Sequence, residues 1–290
     1  MEIYFHVGLG KTGTKFLQYE FFPKITGIHY IKPQKYIRAK SIILDYLKKN
    51  KNQNLKFLIS CEFDKQFERE TEDFSKFFSD TGIIIVFRRH DEWILSQYKR
   101  TIKNGFHVKF KDFFNLENTG WYKIEDLIYA KKIEHIRNRF SKNPLILIYD
   151  ELKNNPQKFL QKILDYIDRK FEGKFPNKIV HKSYGEKELS LAYIISRFIN
   201  YTPPKNNLLK KYLYVFPLRY SILYLGKFIP ENKFLKSVKD KIFPTYEELM
   251  KIREFFRQDW EYCVAEAEKS YQLLKKSHER YNLKYKEISF

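Results

Sequence analysis

Four short apolar runs, rich in β-branched residues, constrain the fold of this 290-residue chain most strongly. They are IYFHV at 3–7, LKFLIS at 55–60, GIIIVF at 82–87 and PLILIY at 144–149. Continuous apolar runs are typical of strands buried on both faces of a parallel sheet. Helical patterns separate them, at about 14–22, 36–49, 64–79, 91–104, 121–140 and 156–169. This order predicts a three-layer α/β domain, with a central parallel sheet of about four to five strands and a ligand at their carboxyl ends.

Strand patterns stop after residue 185, and the remaining sequence is helical. EKELSLAYIISRFIN at 186–200 predicts a helix that ends before two prolines, and 208–243 is also predicted to be helical. Thr245 and Glu248 have capping-box spacing, and apolar residues three and four apart then predict one long helix to about residue 276. We therefore expect a single domain over 1–290, with an α/β core over 1–185 and a helical C-terminal part over 186–290.

The charge of the chain favours an anionic partner. Lys and Arg number 55 against 35 Asp and Glu, a formal net charge of +20. Nucleotides, nucleic acid, acidic glycans and lipid surfaces all suit such a charge, although biased codon usage explains it equally well. Cys61 and Cys263 are the only cysteines, which excludes a disulfide framework and favours a reducing compartment. With neither a signal peptide nor a membrane-spanning run in the sequence, we expect a cytoplasmic protein.

The turn after the first strand, HVGLGKTGTKF at 6–16, has the composition of a phosphate-binding loop. It is not a Walker A loop, because the first glycine of that motif would stand where this chain has Phe5. The letters of a Rossmann G-x-G-x-x-G motif are present, but Lys11 lies inside them, and no acidic residue stands near position 30, where a ribose-binding Asp or Glu would be expected. The sequence therefore excludes both the Walker A loop, which binds triphosphates, and the Rossmann loop, which binds dinucleotides.

The same residues suit one terminal phosphate. Gly13 allows the backbone to approach an anion, and the amides from Gly13 to Phe16 begin a helix whose N-terminus is partly positive. Lys11 adds a full charge, and Thr14 and Lys15 add donors. We interpret the loop as a compact site for a single phosphate group.

Lys11-Thr12-Gly13-Thr14, followed by Phe16, resembles the 5′-phosphosulfate loop of the sulfotransferases. These enzymes use 3′-phosphoadenosine 5′-phosphosulfate (PAPS), and their fold is P-loop-like. Gly10 stands where the family usually has proline. The resemblance implies PAPS as co-substrate, no metal, and roles in nucleotide binding for Lys11, Thr12, Gly13, Thr14, Lys15 and Phe16.

A second motif, VFRRHDEWILSQYKR at 86–100, resembles the 3′-phosphate motif of the same family. Arg88 follows the third predicted strand and Ser96 stands eight residues later on the next helix. An arginine at this position can pair with a phosphate through two hydrogen bonds. Arg89, which replaces the usual polar residue, is an auxiliary phosphate ligand in this interpretation. The segment HKS at 181–183 resembles a nucleotide-side loop and adds Lys182 and Ser183 as candidate ligands.

The resemblance implies that a sulfuryl group moves by in-line displacement from PAPS to a hydroxyl or amine. Lys11 would stabilise the leaving phosphate, and a base must accept the acceptor proton. Glu62, just past the second predicted strand, is our first choice for the base, with Glu20 and His29 as alternatives. Ser60 is a further candidate for donor contact.

The predicted acceptor is a carbohydrate, free or lipid-linked, with peripheral membrane contact and no nucleic-acid partner. Its specificity is expected to depend on residues 200–245. Two other functions stay open: a small-molecule kinase, for which Asp150 would be the magnesium ligand, and a basic module that binds membranes or nucleic acid. The second alternative rests on the cationic and aromatic segment LLKKYLYVFPLRYSILYLGKF at 208–228, which is typical of membrane interfaces and equally of a packed helical pair.

Overall fold

The computed structural model describes residues 1–49, 55–176, 184–204 and 207–288. The chain forms two compact units. Unit 1 consists of Met1–Arg88, Ile128–Ile179 and Gln258–Phe290, and unit 2 of Arg89–Leu127 and Val180–Arg257. The single domain over 1–290, with an α/β core over 1–185 and a helical part over 186–290, stays a prediction. The two units have other bounds, because the chain enters unit 2 at Arg89 and returns twice to unit 1.

Unit 1 contains a five-stranded sheet in the order β2-β3-β1-β4-β5. Every neighbouring pair is parallel. The strands are β1 Glu2–Gly8, β2 His29–Ile31, β3 Lys56–Glu62, β4 Thr81–Phe87 and β5 Leu145–Ile148. The predicted α/β class with a parallel sheet is confirmed, and β2 is an edge strand that the sequence pattern did not predict. Because β3 and β4 lie on opposite sides of β1, the loop after β1 occupies the switch point where such sheets bind ligands.

The α-helices are α1 Thr14–Phe16, α2 Ala39–Lys49, α3 Phe67–Ser75, α4 His90–Lys103, α5 Phe110–Phe113, α6 Tyr129–Arg139, α7 Tyr149–Asn154, α8 Pro156–Ile167, α9 Glu186–Ser196, α10 Leu208–Lys210, α11 Phe216–Leu225, α12 Lys233–Ile242, α13 Tyr246–Phe255 and α14 Arg257–Ile288. The chain also has π-helical turns, one after α1 at Leu17–Phe21 and one after α10 at Lys211–Val215. Turns of 3-10 helix lie at Phe22–Lys24, Pro33–Arg38 and Glu125–Leu127.

Both faces of the sheet are covered, which explains why the strands are continuously apolar. On one face, Leu58, Ile84 and Leu147 belong to a buried cluster with Phe159 and Ile163 of α8. On the other face, the ring of Phe5 lies 4.7 Å from that of Phe74 on α3. There Phe87 stacks on Tyr129 of α6 at 4.5 Å. Unit 1 thus has the predicted three layers.

Two predicted helices have different bounds in the structure. The helix expected over 121–140 begins only at Tyr129, where Asp259 accepts hydrogen bonds from the amides of Tyr129 at 2.8 Å and Ala130 at 3.0 Å. A carboxylate 130 residues away in sequence therefore caps α6. The long C-terminal helix is divided at Phe256, whose φ of −93° and ψ of 10° end α13. Its predicted capping box, Thr245 with Glu248, is confirmed.

α14 belongs to unit 1 because its contacts are made with unit 1. Arg137 of α6 forms an ion pair with Glu266, and the amide of Ile146 in β5 donates to Ser270 Oγ at 3.2 Å. The prediction grouped this helix with the C-terminal part because only sequence proximity was visible. In the structure, α14 contacts β5 and α6 and therefore belongs to unit 1.

Unit 2 is helical in the part that the structure describes. Its core includes Tyr98 of α4, whose hydroxyl donates to the carbonyls of Val108 at 3.1 Å and Ile242 at 2.6 Å. The rings of Phe110 and Phe243 lie edge-on to Tyr98 at 5.3 and 5.6 Å. The prediction that 208–243 is helical holds for α10, α11, α12 and the π-helical turn between α10 and α11. Of the helices described, none combines the length and the apolar character needed to cross a membrane.

Candidate functional site

The loop between β1 and α1 has an unusual backbone. Gly13 has a φ of 85°, and Lys11, which is not a glycine, has a φ of 69°. A side chain at position 13 would place its Cβ 2.5 Å from Cδ2 of Leu152, so only glycine fits. The left-handed conformation of Lys11 costs roughly 1–3 kcal/mol, and such strain is concentrated at functional sites.

Three hydrogen bonds hold this loop in place. The Gly10 amide donates to Asp64 Oδ1 at 2.9 Å, and Thr12 Oγ1 donates to the Leu9 carbonyl at 2.7 Å. At the base of the loop, the Phe63 amide donates to the Gly8 carbonyl at 2.8 Å. Sequence reasoning missed Asp64, although an acidic residue two positions beyond a strand was a usable signal. The loop is therefore preorganised by its neighbour β3.

The predicted loop residues have different environments. Thr12 and Thr14 are buried, and Phe16 packs into the core of the sheet, whereas Lys15 is exposed. Because the Thr12 hydroxyl donates its proton to the Leu9 carbonyl, the Thr12 side chain holds the loop closed. Residues 14–24 continue as helical turns, so the amides from Gly13 onward form the N-terminal end of an uninterrupted segment.

Arg88 lies at the carboxyl end of β4, next to the loop. Its Nη1 donates to the Lys11 carbonyl at 3.4 Å, and its guanidinium carbon lies 4.8 Å from the centre of the Tyr149 ring. The Arg88 carbonyl in turn accepts from the Tyr129 hydroxyl at 2.7 Å. The structure thus brings together Lys11 and Arg88, which the two sequence motifs predicted separately. Tyr149 was interpreted as the end of a strand, but it begins α7 and its ring also lies close to Gly13.

The candidate bases lie in three different places. Glu62 is the last residue of β3, half-buried and paired in register with Gly8, at the edge where the loop begins. Glu20 is exposed on the turn after α1. His29 begins β2 and pairs with Phe57 near the start of β3, so it lies at the opposite end of the sheet. Its ring packs 4.6 Å from that of Tyr46. Of the three, Glu62 is the one that pairs in register with the residue at the start of the loop.

A buried polar network lies under the loop, and sequence reasoning identified only Ser60 in it. Ser60 Oγ lies 2.8 Å from His6 Nδ1 and accepts from Gln18 Nε2 at 3.0 Å. The Gln18 carbonyl accepts from the Tyr30 hydroxyl at 3.0 Å. Burial lowers the pKa of His6 to about 3, so its imidazole is neutral. A histidine inside an otherwise apolar strand was the signal for this network. Ser60 therefore has an internal structural contact rather than an open position.

Arg89, a candidate phosphate ligand, and Asp150, a candidate magnesium ligand, form ion pairs with other side chains. Arg89 pairs with Asp91 at 2.7 Å and with Glu92 at 3.1 Å, which offsets the charge that an auxiliary phosphate ligand would use. Asp150, the magnesium ligand of the kinase alternative, pairs with Lys153 at 2.7 Å. In the described ranges no group of three or more His, Cys, Asp or Glu side chains could hold a metal ion.

Three predicted ligands of the 3′-phosphate stay predictions. Ser96 is half-buried on α4, in unit 2, whereas Arg88 is the last residue of the first segment of unit 1. Lys182 and Ser183 lie outside the described residues.

No protein-family model matches the chain, and no curated protein matches it. Solved structures that are similar include a sulfotransferase from Alicyclobacillus acidocaldarius, with a TM-score of 0.46 and 13% identity over 68% of this chain and 92% of that one. A mouse sulfotransferase complexed with PAP has a TM-score of 0.40 and 14% identity over 95% and 88% of the two chains. The sulfotransferase domain from the curacin biosynthetic pathway has a TM-score of 0.37 and 13% identity over 59% and 76%. All three are sulfotransferases, the family that the loop and the Arg88 motif resemble.

Proposed function

We propose that this protein is a PAPS-dependent sulfotransferase. The observation that carries the proposal is the position of the Arg88 guanidinium, 3.4 Å from the carbonyl of Lys11 in a left-handed, preorganised loop. Two anion-binding motifs that are 77 residues apart in sequence are adjacent in space. A donor with phosphate groups at both its 5′ and 3′ positions needs two such motifs.

In the proposed donor site, the loop binds the 5′-phosphosulfate. The amides of Gly13, Thr14, Lys15 and Phe16 point from the start of a helical segment, and Lys11 supplies a positive charge. Thr12 contributes by closing the loop. Arg88 binds the 3′-phosphate, and the sequence motif adds Ser96, Lys182 and Ser183 as its proposed ligands.

The proposed reaction is an in-line displacement at sulfur. The acceptor oxygen forms the new S–O bond while the bond from sulfur to the phosphate oxygen breaks, which leaves adenosine 3′,5′-bisphosphate. Lys11 and the loop amides stabilise the charge that develops on the leaving phosphate. Glu62 accepts the proton of the acceptor hydroxyl, because it lies at the carboxyl end of β3, in register with the start of the loop. No step requires a metal.

The proposed acceptor is a carbohydrate, free or lipid-linked, and the proposed setting is cytoplasmic. Cys61 on β3 and Cys263 on α14 are free thiols, as expected in a reducing compartment. A kinase is disfavoured because Phe5 occupies the position of the first Walker glycine and Asp150 is paired with Lys153.

Thermal unfolding with nucleotides tests the proposal without knowledge of the acceptor. We expect adenosine 3′,5′-bisphosphate to raise the melting temperature more than 5′-AMP does, because only the bisphosphate reaches Arg88. A ligand at one hundred times its dissociation constant adds about 2.7 kcal/mol of stability. Stabilisation by ATP with magnesium, and by neither adenosine ligand, would instead support a kinase.

Two matched lysine variants then test whether Lys11 contributes to the turnover of PAPS. Lys11→Met should lower turnover of PAPS about 10²–10³-fold, since a charged donor to the leaving oxygen is lost. Lys24→Met, which changes an exposed lysine of the same unit outside the loop, is the control and should keep turnover near wild type. Equal losses in both variants would contradict the role of Lys11.

A further inference from the structure

The segment from α10 to α11 in unit 2 is apolar on two opposite sides. One side is buried: Val215, Ile222 and Leu223 face the interior of the unit. At Gly226 the chain comes so close to α9 that an added Cβ would lie 3.3 Å from Cδ2 of Leu191. This side anchors the segment to its own unit, as the apolar face of a surface helix normally does.

The other side is apolar and exposed. We call it the aromatic ridge and define it as Leu209, Tyr212, Leu213, Tyr220, Tyr224, Leu225 and Phe228. Leu213 is 75% exposed, Leu209 74% and Phe228 70%. Single exposed apolar residues are common, but large side chains on one contiguous segment mark an interaction site. An apolar surface left exposed on a helix that already buries its other side indicates a partner.

The charges within the ridge segment have one sign. Between Asn207 and Pro230 the sequence has no Asp or Glu, while Lys210, Lys211 and Lys227 are interspersed with the ridge residues. The ammonium of Lys211 lies 5.7 Å from the ring centre of Tyr212 and 5.5 Å from that of Phe216. A complementary partner must therefore be anionic as well as apolar.

The chemistry of the ridge distinguishes between anionic partners. Tyr212, Tyr220 and Tyr224 each combine an apolar ring with a polar hydroxyl, a combination favoured where hydrocarbon meets water. Lysines can extend from such a surface to lipid phosphates. No described helix is long and apolar enough to span a bilayer, so this segment would lie on a membrane rather than cross it.

We propose that the aromatic ridge docks this protein on an anionic lipid bilayer, with the ridge side chains in the interfacial region and Lys210, Lys211 and Lys227 at the lipid phosphates. This inference does not depend on the proposed donor site. It concerns where the protein works and predicts that removing the ridge leaves nucleotide binding unchanged.

Vesicle sedimentation of the full chain tests this docking. The probes are vesicles of phosphatidylcholine alone and vesicles of phosphatidylcholine and phosphatidylglycerol in equal parts. We expect the protein to sediment with the phosphatidylglycerol vesicles, and added salt to weaken this binding because exposed charges are screened. Equal binding to both vesicle types, or binding to neither, would overturn the proposal.

Two double variants test the ridge separately from the charges. L213Q with F228S should weaken binding to the anionic vesicles about tenfold, because two exposed apolar side chains are lost. K210E with K227E should weaken it by a similar or larger factor through charge repulsion. Ile37→Gln is the matched control, since Ile37 is 94% exposed but lies in unit 1, and its binding should equal wild type.

Sedimentation velocity without lipid distinguishes a protein partner from a membrane. We expect a monomer whose sedimentation is unchanged by L213Q with F228S. A dimer that this double variant dissociates, together with no vesicle binding, would show that the ridge binds a second copy and would overturn the proposal. Circular dichroism confirms that each variant is folded, and thermal shifts with adenosine 3′,5′-bisphosphate report separately on the donor site.

Discussion

The phosphate-loop region, residues 6–18, and the aromatic ridge both have unusual solvent exposure, but of opposite kinds. In the loop region, polar side chains such as His6, Thr12 and Gln18 are buried, and the backbone at Lys11 is strained. In the ridge, large apolar side chains are exposed on a helical backbone. Natural sequences break local folding rules mainly at functional sites, which supports the two proposals that the loop binds a small anion and that the ridge binds a surface.

The phosphate-loop region and the aromatic ridge are stabilised by different contacts. In the loop region, hydrogen bonds offset part of the cost of burial: Asp64 bonds the Gly10 amide, and Ser60 bonds His6 Nδ1 and Gln18. In the ridge, only the buried side is compensated, through packing on α9. We propose that the loop region is preorganised before a ligand arrives and that the ridge gains its second contact on binding. Substitutions should therefore affect chemistry and stability in the first region, and association in the second.

The largest effect is expected from Glu62→Gln. Loss of the proposed base should reduce turnover about 10²–10⁴-fold while nucleotide binding is retained, because the carboxylate acts on the acceptor. Steady-state kinetics with PAPS and a nucleotide thermal shift measure the two quantities. Glu20→Gln, at an exposed position, is the control. If Glu20→Gln loses turnover and Glu62→Gln does not, the base is Glu20.

Arg88→Ala should weaken the binding of adenosine 3′,5′-bisphosphate by about 2–5 kcal/mol, since a charged pair with the 3′-phosphate is removed. Calorimetric titration gives this value. Affinity for 5′-AMP, which has no 3′-phosphate, should change much less. Arg88→Lys should recover only part of the affinity, because an ammonium cannot form two parallel hydrogen bonds. Equal losses for both nucleotides would mean that Arg88 supports the loop rather than the 3′-phosphate.

The buried His6 should make stability depend on pH. Below about pH 6.5 the unfolded chain binds a proton on this imidazole, whereas the folded protein does not until about pH 3. Stability from this residue is therefore complete above pH 6.5 and falls with decreasing pH, by at most about 1.4 kcal/mol per pH unit.

Urea unfolding at pH 7 and pH 5 measures this loss. The wild type should lose about 2 kcal/mol more than His6→Asn between these two values, because asparagine does not titrate. An equal loss in both proteins would place the imidazole in contact with water and contradict the buried network.

The smallest effect is expected in the ridge. Leu213→Ser should change the free energy of unfolding by less than about 0.5 kcal/mol, as is usual for exposed positions. Ser60→Ala, the matched change in the loop region, should cost about 1–3 kcal/mol because the buried Gln18 amide loses its acceptor. Chemical unfolding of both variants provides the comparison. A cost above 1 kcal/mol for Leu213→Ser would show that the ridge is packed in the folded protein.

Strands buried on both faces were predictable, since their apolar composition does not depend on which neighbour covers them. The three-residue strand β2 was not, because its pairing with β3 supplies a stability that so short a segment lacks. The break at Phe256 was also invisible, since the apolar spacing continues through it. Its two flanking helices belong to different units.

Lys11, Gly13 and Arg88 could be predicted as candidate site residues because they lie just beyond the ends of two strands, and the carboxyl ends of parallel strands meet at one edge. Asp64, His6, Gln18 and Tyr149 were missed as parts of the site, because their roles come from contacts with residues distant in sequence. The same limit applies to the candidate bases: sequence order left Glu62, Glu20 and His29 as alternatives, and strand direction separates Glu62 from His29.

By itself, the sequence determined the α/β class, the parallel sheet and the position of the candidate anion-binding loop, because these depend on local apolar patterns and on short-range backbone chemistry. Tertiary structure alone decided that Asp64 holds the loop and that Arg88 meets Lys11. It also decided that α14 belongs to the sheet-containing unit and that one side of α11 is buried while the other is exposed. These outcomes depend on which surfaces pack together, and packing is a property of the whole chain.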